Sequence, residues 1–198
     1  TAYGNGINLK LGAIIRVGEN TKIGGSIHSP SYISMEEEYT TSISTEWDNG
    51  EEFRENSPLG YFEYEIITPW KLIGSFSTTF NKQFLISAEI EQTDYSFTKM
   101  YSDYYQFTDE NNLINEIYTT ATNIRLGGEA RFMPFSIRAG YGLYGSPFKD
   151  KPEYETKNYS VGLGIDFKST FFDISYSISK GKSEHSMYSP ETEESTML

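Results

Sequence analysis

The sequence predicts an all-β chain, specifically an antiparallel up-and-down transmembrane β-barrel of about eight strands, and three observations support this. Apolar and polar residues alternate over segments of about ten residues, short turns alternate with long connections, and acidic residues gather in the long connections. No run approaches the ~18 consecutive apolar residues of a spanning helix, whereas a spanning strand needs only ~9–11 residues. We therefore interpret residues 1–198 as a single portion of a β-barrel.

The predicted strands form hairpins, each closed by a short turn. Strands are expected at about residues 7–17 with 22–28, 70–80 with 84–93, 123–132 with 135–144, and 159–167 with 172–179. Pro69 lies in the upper part of a strand, and because proline lacks a backbone N–H, it predicts a bend or bulge there.

The connections between hairpins are predicted at about residues 31–60, 98–118, 146–155 and from 182 onward. They contain the acidic runs at residues 36–38, 46–55 and 184–194. Outer-membrane barrels have short periplasmic turns and long extracellular loops, so the carboxylates are expected outside the cell. Residues 109–118 have helical spacing and could form a short helix. Residues 36–38 are expected to be a solvated loop; a divalent-cation site beside lipopolysaccharide is the less favoured alternative.

The free-energy cost of placing a charge in lipid indicates which face of each strand lines the lumen and which face contacts lipid. Arginine on the lipid face costs ~2–4 kcal/mol at the membrane midplane, so the face with Arg16, Arg125, Arg131 and Arg138 is expected to line the lumen. Lumen charges are expected to form a ladder of ion pairs, and a substrate role for one of them is the alternative. The ladder would contain Lys10, Arg16, Lys71, Glu89, Glu91, Arg125, Glu129, Arg131, Arg138, Asp166 and Asp173. Aromatic residues near strand ends predict girdles at the two membrane interfaces: Tyr32, Tyr61, Phe80, Phe84, Phe132 and Phe167. The alternative is that these side chains fill the core of a soluble protein.

Charge and motifs argue against several function classes. The formal charge of -12 argues against nucleic acid as a partner, and the absence of cysteine rules out disulfides and thiolate metal sites. His28 and His185 are the only histidines, and neither lies in a nucleophile, metal or phosphate motif. We therefore expect neither catalysis nor a cofactor nor a metal. The candidate ligand-contacting lumen residues are His28, Arg125, Glu129 and Arg138.

Several segments together resemble the carboxy-terminal part of the FadL/TodX family of outer-membrane transport proteins, in a variant common among Bacteroidetes. These segments are Gly6-Ile7-Asn8-Leu9-Lys10-Leu11-Gly12-Ala13, Ile27-His28-Ser29-Pro30, Thr68-Pro69-Trp70 with Gly74-Ser75-Phe76, Asp94-Tyr95-Ser96, Asn123-Ile124-Arg125-Leu126-Gly127-Gly128-Glu129, and Arg138-Ala139-Gly140-Tyr141 with Gly145-Ser146-Pro147. The resemblance implies a 14-stranded barrel with an amino-terminal plug in the outer membrane of a Gram-negative bacterium. Such a barrel passively takes up hydrophobic molecules such as long-chain fatty acids and releases them through a lateral opening. Lipids, lipopolysaccharide and a hydrophobic ligand are the implied partners.

The chain departs from the family pattern at both ends. The plug, the early strands and the last strand are expected to be missing, so either the chain is a fragment or other protein chains complete the barrel. Two alternative functions remain open: a barrel that acts as a structural or secretion-complex partner, and a soluble β-sandwich for binding or adhesion. The sandwich predicts buried apolar strand faces.

Overall fold

The computed structural model describes residues 1–167 and 169–182, and these residues form antiparallel sheets and one short helix. Within this part of the chain, no helix is long and apolar enough to cross a membrane. The strands are β1 (Ala2–Ile7), β2 (Lys10–Val17), β3 (Thr21–His28), β4 (Tyr32–Tyr39), β5 (Ser42–Glu46), β6 (Glu52–Asn56), β7 (Gly60–Ile67), β8 (Lys71–Phe80), β9 (Phe84–Asp94), β10 (Lys99–Tyr101), β11 (Thr120–Phe132), β12 (Phe135–Tyr144), β13 (Thr156–Phe167) and β14 (Thr170–Lys180). The helix α1 is Thr108–Ile117.

The main sheet has eight strands in the order β14-β13-β12-β11-β9-β8-β3-β2. Neighbouring strands are antiparallel, and each predicted hairpin is present. Tight turns join β2 to β3, β8 to β9, β11 to β12 and β13 to β14, all at one end of the sheet. The eight predicted strands are therefore confirmed, although the first begins at Lys10 instead of residue 7.

A second sheet, the extension sheet, continues four strands of the main sheet beyond the end that is opposite the tight turns. Its order is β1-β4-β7-β10, which matches the order β2-β3-β8-β9 of the strands that it prolongs. The two sheets are separated by a line of short segments without strand structure, the break line, at residues 8–9, 29–31, 68–70 and 95–98; the last of these contains a 3-10 turn at Tyr95–Phe97. Pro69, where the sequence predicts a bend or bulge within a strand, lies in this line, between the end of β7 and the start of β8.

Along the break line, beside Pro30 and Pro69, side-chain hydroxyls accept hydrogen bonds from backbone N–H groups. The Ser31 N–H donates to Thr68 Oγ1 (2.8 Å), and the Leu9 N–H donates to Ser29 Oγ (2.9 Å). The strands thus stay laterally connected across the irregular segments.

The prediction that residues 31–60 form a loop is wrong, because they contain β4, β5, β6 and the start of β7. The acidic run at residues 36–38 lies in β4, where β1 pairs with one edge and β7 with the other. The run at residues 46–55 lies largely in the separate hairpin β5–β6. Tyr32 and Tyr61 also differ from the prediction of interfacial girdles, since both lie in the extension sheet instead of the main sheet.

The remaining connections fit the sequence more closely. The helix predicted within residues 109–118 is confirmed as α1, and residues 146–155 contain only a single 3-10 turn at Pro152–Tyr154 and a bridge from Phe148 to Tyr118. Lys168, in the turn predicted between the last two strands, and the predicted acidic segment at 184–194 lie outside the described residues.

The described part of the chain has almost no hydrophobic interior. Among the described residues, Ala121 is the only hydrophobic one that is buried. One side of the main sheet, the apolar face, carries exposed aliphatic and aromatic residues on all eight strands; examples are Ile15, Ile23, Leu72, Ile86, Leu126, Ile137, Leu163 and Ile174. A soluble sandwich would bury this face, so the sandwich alternative does not fit the structure.

Candidate functional site

The strand register places most of the polar residues of the main sheet, including all four of its arginines, on one side, the polar face. Arg125 on β11 lies opposite Glu89 on β9 and Gly142 on β12. Residues that are directly opposed in neighbouring strands share a face, and the face alternates along each strand. The same rule assigns Arg16, Arg131 and Arg138 to the polar face, which confirms that the four arginines share one side.

The first cluster of charges on this face surrounds Glu91, which is only 6% exposed. Its carboxylate accepts from Arg125 Nη2 (3.0 Å) and Asn123 Nδ2 (3.1 Å), and Lys71 Nζ lies 3.2 Å away. Arg125 also pairs with Glu89. In addition, the Arg125 guanidinium lies 5.4 Å from the centroid of the Tyr144 ring. The two acids and two bases of this cluster balance in charge.

The second cluster lies nearer the tight turns and is centred on Glu129. One carboxylate oxygen accepts from Arg131 (2.6 Å) and the other from Arg138 Nε (2.7 Å), and Arg138 also pairs with Asp173 on β14. The cluster again contains two acids and two bases. The predicted ladder is confirmed for these eight residues, whereas no ion pair joins Lys10, Arg16 or Asp166 to another residue in the described part of the chain.

Small side chains leave open space beside the first cluster. A concavity of about 310 Å³ is bordered by Lys22, Ser75, Ser87, Glu89 and Arg125. A second concavity, of about 500 Å³, adjoins it and shares Ser75 and Glu89 with it. Ile14 lines both spaces and adds an apolar surface to the polar face. The arrangement can accept a small molecule between β2, β3, β8 and β9.

The polar face of β2 and β3 is basic and has no acid. Arg16 is directly opposite Lys22, and Lys10 is directly opposite His28. No ion pair to any of these four side chains is found among the described residues. Like charges that are directly opposed across two strands are destabilising, so the Arg16–Lys22 position favours a bound anion.

The structure separates the four candidate ligand residues predicted from the sequence. Glu129 and Arg138 contact each other in the second cluster, and Arg125 belongs to the first cluster. His28, on β3, belongs to neither cluster. Their contact with a ligand stays a prediction. Sequence reasoning missed Lys22 and Ser75 as lining residues, although both were on the polar side of the alternating pattern.

The apolar face carries a row of phenylalanines at its turn end. Phe84 on β9 packs edge-on against Phe132 on β11, with 5.7 Å between ring centroids. The row consists of Phe80, Phe84, Phe132, Phe135, Phe167 and Phe172, and every member is exposed. Aromatic rows of this kind occur where barrel strands meet the membrane interface.

Comparison with known proteins shows similarity in fold alone. No protein-family model and no curated protein matches the sequence. The Pseudomonas putida toluene transporter TodX matches 85% of this chain at 14% identity, with a TM-score of 0.51. A Pseudomonas aeruginosa FadL homologue matches 91% of this chain at 12% identity, with a TM-score of 0.49. The chain spans 42% of the TodX chain and 61% of the FadL homologue. The chain therefore has a FadL/TodX-type fold.

Proposed function

We propose that this chain is part of an outer-membrane channel that passively takes up hydrophobic small molecules, among them long-chain fatty acids. The observation that carries the proposal is the two-sided main sheet, with an exposed apolar face on all eight strands and a charged face behind it. Such a sheet is stable where lipid covers one face and water fills the space behind the other. The TodX structure, a toluene transporter with this fold, supports a transport role.

The same sheet suggests an orientation in the membrane. The tight turns and the phenylalanine row lie at one end, which corresponds to the periplasmic interface of a bacterial outer membrane. The extension sheet and the β5–β6 hairpin then project outside the cell, beyond the lipopolysaccharide headgroups. Lipid and lipopolysaccharide would contact the apolar face and its outer rim.

The basic residues on β2 and β3 support a carboxylate among the substrates. Arg16 and Lys22 lack acidic partners within the described residues, and Lys22 borders the 310 Å³ concavity together with Ile14. A fatty-acid carboxylate would offset the repulsion between the two cations, and its alkyl chain would contact Ile14. We therefore assign the carboxylate end of the substrate to β2–β3.

A binding experiment on the full-length protein in detergent tests the proposal. We expect oleate to bind, and the double variant Arg16→Gln/Lys22→Gln to weaken this binding about tenfold, because two favourable charge interactions are lost. Toluene, which is uncharged, should bind the variant and the parent protein equally.

The matched control is Lys180→Gln, which removes a positive charge at the end of β14, away from the concavities. This control should bind oleate as the parent does. A protein that is monodisperse without detergent, or that binds neither oleate nor toluene, would overturn the proposal.

A further inference from the structure

The extension sheet has two different sides. One side, the covered face, carries Phe62 and Tyr64, whose rings pack against Phe107 from the segment that leads into α1. Asn111 of α1 bonds to both backbone groups of Met100 (2.8 and 2.9 Å), which ties the helix to the edge strand β10. The other side, the open face, has no such cover within the described residues.

The open face carries one tyrosine from each of its four strands. These are Tyr3, Tyr32, Tyr61 and Tyr101, which are 46–61% exposed. Four exposed aromatic rings on one side of a small sheet are unusual where that side faces only water, because each ring could be replaced by a smaller polar residue at no cost to the fold. Rings of this kind are common at the centre of protein interfaces.

The open face also carries four glutamates and one base. Glu36 is directly opposite Glu63, Glu38 is opposite Tyr61, and Glu65 lies between Ser34 and Tyr101. Lys99 is the single basic residue on this side of the four strands. Directly opposed carboxylates destabilise a strand pair, so the Glu36–Glu63 arrangement favours a positively charged partner.

The covered face shows what the same residue types do when they are satisfied internally. On this face Tyr64 donates to Glu37, and in the segment that covers it Tyr105 donates to Glu110 of α1, each at 2.8 Å. On the open face, by contrast, the carboxylates of Glu36 and Glu63 have no hydrogen bond or ion pair among the described residues, although the Glu63 backbone carbonyl accepts from Ser102 Oγ. The open face is therefore polar and aromatic surface without internal partners.

One end of this surface is concave. A space of about 240 Å³ is bordered by Glu63, Glu65, Tyr101, Asp103 and Tyr104. Its size suits the end of one long side chain, and its border combines carboxylates with tyrosine rings. Such a border attracts a lysine or arginine side chain by charge and by cation–π contact.

We propose that the open face of the extension sheet is a docking surface for a protein partner that presents a lysine- or arginine-rich segment. The glutamates attract and orient the basic segment, the tyrosine rings contact the aliphatic stems of its side chains, and the concavity receives one cationic end. This role does not depend on transport, because the surface lies beyond the break line and shares no residue with the polar face of the main sheet.

The first test compares two double variants that remove the same charge from two directly opposed glutamate pairs. Glu36→Gln/Glu63→Gln alters the open face, and Glu46→Gln/Glu52→Gln alters the pair in the β5–β6 hairpin. The probe is a poly-L-lysine peptide of about twenty residues, titrated onto the full-length protein in detergent at physiological salt. We expect the open-face variant to bind about tenfold more weakly and the hairpin variant to change less than about twofold.

Equal weakening by both double variants would show attraction by net charge only and would overturn the proposal. So would calcium binding that is abolished by the open-face variant, since the carboxylates would then serve a metal ion. The open-face variant relieves repulsion between carboxylates, so its melting temperature should not fall.

The second test isolates the aromatic contribution without a change in charge. We expect Tyr61→Ser to weaken binding of the same peptide about threefold, and Tyr61→Phe to bind as the parent does, because phenylalanine retains the ring face. If Tyr61→Ser bound the peptide as tightly as the parent protein does, the aromatic contribution to the docking surface would be ruled out.

Discussion

Glu91 on β9 and Arg125 on β11 form an ion pair that runs diagonally across the two strands, with 3.0 Å between Oε2 and Nη2. The residue directly opposite Glu91 is Asn123, and the residue directly opposite Arg125 is Glu89. The diagonal contact allows Arg125 to reach both glutamates, and Glu91 thereby gathers Arg125, Lys71 and Asn123 around one nearly buried carboxylate.

This arrangement predicts that Glu91→Gln destabilises the folded protein. The substitution keeps the size of the side chain but leaves Lys71 and Arg125 without their shared counter-charge. Since both cations are about one-third exposed, we expect a loss of about 2 kcal/mol, below the ~3–5 kcal/mol of a fully buried pair. Urea unfolding in lipid vesicles measures the change. Glu19→Gln, in the exposed β2–β3 turn, is the control, and an equal shift for both variants would contradict the prediction.

The two faces of the main sheet predict opposite responses at adjacent positions of β13. Val161 lies on the apolar face and is 59% exposed, whereas Ser160 lies on the polar face. We expect Val161→Arg to destabilise folding into vesicles by ~2–4 kcal/mol, because the charge would enter lipid. Ser160→Arg should cost clearly less, since its charge would remain on the polar face. Folding yields measured by gel mobility compare the two, and equal costs would mean that lipid does not cover the apolar face.

The main sheet could be predicted from the sequence because each of its hairpins is defined by residues that are close together in the chain. Alternation along β12 and the short turn at Met133 and Pro134 define a hairpin without knowledge of the rest of the chain. The faces followed from the same alternation, so the shared side of Arg125 and Arg138 was predictable as well.

The extension sheet was not predictable in this way. Three consecutive glutamates at residues 36–38 interrupt the alternation of β4, and glutamate has a low strand propensity. The strand forms because β1 and β7 pair with both of its edges, which is a non-local cause. The same is true of Glu91, whose three donors come from β8 and β11.

The break line predicts a stabilising role for Thr68. Its hydroxyl accepts from the Ser31 N–H at 2.8 Å, next to Pro30 and Pro69, which cannot donate. Thr68→Val keeps the shape of the side chain but leaves a half-buried N–H without this acceptor, so we expect a loss of about 1 kcal/mol. Faster hydrogen exchange of the Ser31 amide would report the change. Thr45→Val in the β5–β6 hairpin is the control, and an unchanged Ser31 exchange rate would count against the prediction.

The covered face of the extension sheet predicts a pH effect from Tyr64 and Glu37. The hydrogen bond from the Tyr64 hydroxyl to the Glu37 carboxylate raises the pKa of Tyr64 above its ordinary value of 10.0, because ionisation would break the bond and place two negative charges together. The stability that this bond contributes is complete below about pH 10 and is lost as the pH rises through the raised pKa.

Glu37→Gln should therefore lower the pKa of Tyr64 toward its ordinary value, since the carboxylate is removed. The titration of ¹³C-labelled tyrosine followed by NMR measures this, with Tyr64→Phe to assign the signal. Glu38→Gln is the matched control, because Glu38 is the next residue of β4 and lies on the open face opposite Tyr61. If both glutamine variants lowered the pKa equally, the cause would be the general negative charge of the sheet instead of the hydrogen bond between Tyr64 and Glu37.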